Sequence, residues 1–383
     1  MLCLGPCGER RLNMVGAPAM RVVHARSYDE IMPNYRLIDL FAGAGGLTRG
    51  FLDTGRFRSV AAVEHDRVAA ATYAANFGRD HVFAEDIATW LERGAVPSAE
   101  VVVGGPPCQG FSNLGNKAEN DPRNSLWREY FQVIREAKPL YFVIENVPQF
   151  LKSAQFAKLE ARTMGRGKPN DYTLSHSVVD AADFGVPQHR KRAVVFGRLN
   201  DLPPLTPLLG NASRSTVRQA LEGVAPEVTA VSLPSSQYEF DGFSFPGTFK
   251  TSQLHLARRP SQLSLDRYDK IPEGGNRFDI PGDLLPPCWK THKSGSVDVM
   301  GRMSWTKPSV TIRTEFYKPE KGRYLHPAEN RSITHYEAAL LQTFPEDHVW
   351  CGSKTAIGRQ IGNAVPPVLA HAIANHLLQT LVG

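Results

Sequence analysis

The sequence predicts a doubly wound α/β core joined to a smaller, loop-rich second domain. Three observations carry that expectation. From Tyr35 onward short apolar runs alternate with helix-like segments, the pattern of β-α-β units on a parallel sheet. The first run passes directly into a glycine cluster, and after Leu199 the texture turns Pro-, Ser- and Gly-rich with little periodicity. A chain of 383 residues is expected to hold one core of roughly 200–250 residues and a smaller partner.

The elements follow in order. Residues 1–34 contain no periodic element and read as a leader, and Met14 and Met20 leave the natural start open. Strands are predicted at Arg36–Phe41, Val60–Glu64, Val82–Asp86, Glu100–Gly104, Tyr141–Glu145 and Arg192–Phe196, with helices at 47–55, 67–77, 125–137 and 149–163. Pro203, Pro204 and Pro207 end this regime, and a segment so rich in turn formers does not continue a parallel sheet. Helical spacing returns at Ser332–Gln342 and Pro366–Leu381. The expected organisation is a leader (1–34), a core (35–198), a second domain (199–330) and a return to the core (331–383), with no internal repeat.

Composition narrows the class. Hydrophobic residues at 42% and charged residues at 21% exclude a chain that is mainly disordered. No apolar run approaches the roughly 18 residues of a membrane span, and the opening MLCLGPCGERRLN is too quickly charged for a signal peptide, so a cytoplasmic protein is expected. The five cysteines form no paired CxxC units, and no metal site is expected. The net charge of +6 is mild, but 30 of the 44 basic residues are Arg. Guanidinium forks suit phosphates and base edges, and GC-rich codon usage produces the same skew, so charge alone leaves both readings open.

The chemistry sits at the ends of the predicted strands. Asp39-Leu40-Phe41-Ala42-Gly43-Ala44-Gly45-Gly46 is a strand-to-helix turn that a ligand can approach closely, and Glu64 lies 18 residues past Gly46, where a ribose hydroxyl can be held. The turn lacks GxGxxG spacing, which favours a nucleoside cofactor without pyrophosphate; the plain alternative is a tight connection. The fourth strand ends in Gly104-Gly105-Pro106-Pro107-Cys108-Gln109-Gly110-Phe111-Ser112, which puts a thiol with polar, Gly-rich flanks at the ligand-binding edge of the sheet. The fifth ends in Glu145-Asn146-Val147-Pro148, a carboxyl group that can act as an acid toward a ring nitrogen if burial raises its pKa, or simply cap a helix.

Taken in order, DLFAGAGG, GGPPCQGFS, ENVP, Gln188-His189-Arg190-Lys191-Arg192 and Gln360-Ile361-Gly362-Asn363-Ala364-Val365-Pro366-Pro367 resemble the C5-cytosine DNA methyltransferases across roughly residues 35–383. The resemblance implies a Rossmann-like methyltransferase core with a target-recognition domain in 199–308. It also implies S-adenosyl-L-methionine as cofactor, S-adenosyl-L-homocysteine as product, double-stranded DNA as partner and a monomer at work. Carbon 5 of cytosine is a poor nucleophile, so a Cys108 thiolate would first add to carbon 6, with Glu145 on ring nitrogen 3. The base must leave the duplex to be reached.

The resemblance further implies catalytic roles for Cys108, Glu145, Arg190 and Arg192. Phe41, Ala42, Gly43, Gly45, Glu64, His65, Asp86, Ile87, Pro107, Leu126, Asn363 and Val365 are implied around the cofactor. Gln109, Ser112, Arg302 and Thr311 are implied on the DNA. Asp86 can equally be a helix N-cap, and His335, within the RSITHYEAALLQTFP segment, is expected on a helix surface rather than in catalysis. Two alternatives keep the fold: a tRNA cytosine methyltransferase, whose Cys-Phe-Thr signature is missing here, and an inactive DNA-binding homologue, against which Cys108, Glu145 and Arg192 speak. A bacterial restriction-modification or phage-defence setting is expected.

Overall fold

In the computed structural model, residues 34–94, 96–107, 126–164, 172–291 and 296–381 are described. Seven strands form one sheet: β1 Tyr35–Leu40, β2 Phe57–Val63, β3 Val82–Phe83, β4 Val101–Gly104, β5 Tyr141–Asn146, β6 Tyr172–Asp180 and β7 Lys191–Leu199. Their order is β3-β2-β1-β4-β5-β7-β6. The central strands are β-branched and aromatic, and β4 (VVVG) and β5 (YFVIEN) are buried at every residue, as expected of strands covered on both faces. Helices α1 Gly46–Leu52, α2 Arg67–Phe77, α3 Ile87–Glu92, α4 Leu126–Ala137 and α5 Ala154–Met164 belong to this core. α4 turns Trp127, Tyr130, Val133, Ile134 and Ala137 inward, and Trp127 stacks on Phe150 with centroids 4.7 Å apart.

Two features of the sheet depart from the sequence reading. The strand predicted at Arg192–Phe196 is β7, which runs antiparallel to both β5 and β6, so the sheet is mixed. β6 was not predicted, because its polar run Thr173, Ser175, His176 and Ser177 belongs to a half-exposed edge strand. The predicted helix at 149–163 is a 3-10 turn, Pro148–Lys152, followed by α5.

Beyond β7 come α6 Val217–Ala220, the hairpin β8 Gln237–Phe240 and β9 Phe243–Pro246, β10 Phe249–Lys250, α7 Gln262–Asp269 and α8 Pro287–Thr291. None of these strands joins the seven-stranded sheet. Regularity being scarce, buried arginines supply donors to loop carbonyls. Arg302, 4% exposed, donates to the carbonyls of Ile271, His326, Glu329 and Tyr268 and to Asn330 Oδ1, all at 2.7–2.8 Å.

The chain then forms α9 His335–Leu341, β11 Val349–Trp350, α10 Lys354–Asn363 and α11 Pro367–Leu381. Thr334 caps α9 in a capping box with Glu337, and that buried carboxylate pairs with Arg331 at 2.7 Å. His335 is not on the surface: it is 3% exposed, bonds the Lys354 carbonyl at 2.9 Å and stacks on Tyr317. α11 returns along α1, where Gly50 permits the approach, since a Cβ there would lie 2.4 Å from the Pro367 carbonyl oxygen.

Candidate active site

The carboxyl ends of β1, β2, β4 and β5 point to one edge, and β1 and β4 lie side by side where the strand order reverses. After β1 the backbone enters the left-handed region at Phe41 (φ 58°), Gly43 (55°) and Gly45 (81°). For Phe41 that conformation is costly and is a mark of a functional turn. Glu64 holds the turn: its Oε2 accepts the Gly43 amide at 2.9 Å and its Oε1 accepts the Asp66 amide at 2.8 Å. The returning segment closes against it, because a Cβ on Gly46 would sit 2.2 Å from the Val365 carbonyl oxygen. Beneath the turn, Thr48 donates to the fully buried Asp39 at 2.7 Å and contacts Tyr73 at 2.8 Å, and burial pushes the Asp39 carboxyl up to about 7.

On the other side of the edge, Asn146 donates to the Pro106 carbonyl at 3.0 Å and so joins the ends of β4 and β5. Glu145, 8% exposed, is met by Arg192 of β7, with Nε 2.7 Å from Oε1. The contact is Coulombic, since that buried oxygen accepts no hydrogen bond from the described residues. Arg190 is buried and donates to the carbonyls of Ile312 and Gly362 at 3.1 and 3.2 Å. Burial, with Arg192 next, lowers its guanidinium to about 9, still charged at neutral pH. Arg192 lines a cavity of about 810 Å³ together with Thr311, His189, Lys191, Gln149 and Arg214. Thr311 Oγ1 donates to the His189 carbonyl at 2.7 Å, and the His189 ring is held by Asp180 at 2.9 Å.

A glycine turn braced by a carboxylate ends β1, and a Glu–Arg pair stands two strands away along the same sheet edge. The family description C-5 cytosine-specific DNA methylase matches residues 35–379. The chain belongs to this family. Among relatives of the methylase, the type II methyltransferase M1.HphI of Haemophilus parahaemolyticus is 35% identical, over 89% of this chain and 86% of its own. The type II methylase M.HgiDII of Herpetosiphon aurantiacus is 32% identical, over 91% and 96%. A solved structure of a candidate DNA modification methyltransferase encoded within a prophage (E. coli) superposes with a TM-score of 0.67 at 25% identity, covering 91% of this chain and all of the other. The S. pombe Dnmt2 methyltransferase shares the fold at 17% identity, with a TM-score of 0.62 over 90% and 99%.

Within the methylase the predicted residues fall into groups. Phe41, Ala42, Gly43, Gly45, Glu64 and Val365 surround the turn. His65 is exposed at 3.3 Å from Glu64 Oε1, which raises its pKa. Asp86 caps α3, accepting the Ala88 amide at 2.9 Å, so the capping reading is correct while the carboxylate remains exposed. Ile87 is buried, Leu126 opens α4, and Pro107 and Asn363 are exposed. Cys108, Gln109 and Ser112 lie outside the described residues. Arg302 corrects the sequence reading: all five of its N–H donors are committed to internal acceptors, so in this structure it braces loops and offers nothing to a base edge. Gln188 and Gln342, both fully buried and bonded to one another at 2.9 Å, were assigned no role from sequence. The polar residue in the otherwise apolar AALLQTF run was the available signal.

Proposed function

We propose that the chain transfers a methyl group from S-adenosyl-L-methionine to carbon 5 of a cytosine flipped out of a specific double-stranded DNA sequence, in a restriction-modification setting. The observation that carries this reading is the Glu145–Arg192 pair, 2.7 Å apart at the sheet edge and one strand from β4, the strand that precedes Cys108 in the sequence. The type II names of the relatives support the setting.

The residues around the turn fit the cofactor. Space is open over Gly43, where a Cβ would meet nothing within 4 Å among the described residues, and Glu64 adjoins it through the Gly43 amide. The bound cofactor supplies a methyl group on a sulfonium. On the base side, the Cys108 thiolate adds to carbon 6, and the ring's electron pair moves to carbon 5. Glu145 and Arg192 orient the ring and carry its developing charge. After methylation, loss of the carbon 5 proton breaks the S–C6 bond and frees the thiolate. Thr311 and His189 form the wall behind Arg192. Exposed Lys191 and Arg214 line the cavity, and they supply phosphate contacts together with the exposed Arg218 and Lys307. The Val217 amide bonds the Lys307 carbonyl at 2.9 Å, which keeps two of these segments together.

The test is Cys108→Ser, assayed on the site mapped by bisulfite sequencing of DNA from expressing cells. Methyl transfer is expected to vanish while DNA binding persists. Wild type with cofactor is expected to form a denaturant-stable adduct on 5-fluorocytosine DNA. Full activity of the variant, or no adduct on the mapped site, overturns the proposal.

A further inference from the structure

A chain of buried polar contacts runs through the interior from the cavity wall beside Arg192 to the segment that closes on the glycine turn. Gln188 donates to the Leu341 carbonyl at 3.2 Å and to Gln342 Oε1 at 2.9 Å, and its own Oε1 accepts the Ile312 amide at 2.9 Å. Gln342 donates onward to the carbonyls of Ile361 and, at 3.5 Å, Ala364. Arg190 is a parallel strut from Ile312 to Gly362. Every side-chain N–H of the two glutamines is used, and both residues are 0% exposed. Such a satisfied network in a low-dielectric interior is stiff, because shifting either amide strands a buried partner.

Both ends of this chain are functional surfaces. Ile312 follows Thr311, which shares the cavity wall with Arg192. Ala364 precedes Val365, whose carbonyl abuts Gly46 of the glycine turn. The backbone beside Gln342 adds an independent observation. Thr343 is β-branched yet sits at φ 64°, and its Oγ1 accepts the Val368 amide of α11 at 3.2 Å. A left-handed β-branched residue persists only where its surroundings over-determine it. The junction of α9 with α11 is therefore held at the point where Gln342 reaches the returning segment.

We infer that Gln342, acting through Gln188, is a positioning residue that couples occupancy of the cofactor side of the cleft to the geometry of the base side. The inference rests on the function proposed above. A cofactor that seats the 364–365 segment against the turn also sets the height of Ile312 and Thr311, so each ligand tightens the other by the same factor.

The experiment titrates S-adenosyl-L-homocysteine calorimetrically into the full chain, with and without a duplex carrying the mapped site. Wild type is expected to bind it at least about fivefold tighter with DNA present, the lower end of common coupling. Gln342→Leu is expected to bring that factor to within about twofold of one. Adding Gln188→Leu to Gln342→Leu is expected to lower it no further, since the two share one path. Thr251→Val is the control for destabilisation alone. It removes an equally buried pair of hydrogen bonds, from Trp350 Nε1 at 2.9 Å and to the His348 carbonyl at 3.1 Å, and is expected to keep the wild-type factor. Bound S-adenosyl-L-homocysteine with unchanged coupling in Gln342→Leu, or equal loss in Thr251→Val, overturns this inference alone. Wild type that does not bind S-adenosyl-L-homocysteine overturns the cofactor reading with it.

Discussion

Arg302 and Arg192 are both arginines of a DNA methylase, yet their environments give them opposite uses. Arg192, its side chain 13% exposed, lies beside Glu145 and faces a cavity, whereas Arg302 is surrounded by carbonyls. Replacing Arg302 with Lys leaves a single ammonium for five fixed acceptors, which strands at least two of them. A loss of roughly 2–4 kcal/mol is expected in denaturant unfolding. The slope of log affinity for DNA against log salt is expected to stay unchanged, while Lys307→Ala lowers it by about one. A slope that falls in Arg302→Lys would restore Arg302 to the DNA interface. The Gln188–Arg192 motif marks Arg192 in the sequence, but no sequence pattern marks Arg302 as a brace, because an arginine's role depends on whether acceptors or solvent surround its fork.

Among the elements, the glycine turn was legible because its residues are local: backbone that must take positive φ is written as glycine. Gly46 is different. Its backbone is ordinary for a helix start, so helix propensity alone would make Gly46→Ala stabilising by up to about 1 kcal/mol. The Val365 carbonyl oxygen at 2.2 Å from the added carbon reverses the sign, since a backbone atom cannot swing aside. A net cost of about 1–3 kcal/mol is expected, with product affinity at least tenfold weaker as Val365 is displaced. Thermal unfolding and calorimetry of the variant check both parts. The elements that sequence reading missed fail for a common reason. β6 is polar and half-exposed, and α3 and α10 are short amphipathic pieces whose burial is supplied by distant neighbours.

At the scale of the whole molecule, the segment after β7 and the C-terminal return are packed around buried imidazoles. Burial lowers His326 and His335 to about 4 and His348 to about 3. Each is depressed below its unfolded value of about 6.5, so the unfolded chain binds more protons in that interval. Stability is therefore complete above about pH 6.5 and is lost as pH falls toward 4. Asp39, raised to about 7, acts oppositely: its contribution is full below about pH 4 and lost as pH rises through 7. Three histidines outweigh one carboxyl, so net acid destabilisation is expected between pH 6.5 and 4. His348→Gln is expected to shift the acid midpoint downward relative to its own stability at pH 7.5. An unchanged midpoint in pH-dependent denaturant melts would remove His348 from that account.

The sequence by itself determined the family, the strand-end positions of Glu64 and Glu145 and the glycine turn. Each is a short-range pattern in which chemistry dictates residue type and spacing. Tertiary structure alone decided that β7 runs antiparallel and so brings Arg192 onto Glu145, and that Val365 closes on Gly46. It alone decided that Arg302 and His335 are internal braces and that Gln188 meets Gln342 from 154 residues away. These outcomes depend on which groups a fold desolvates together, and desolvation is a property of the packed chain that local sequence does not encode.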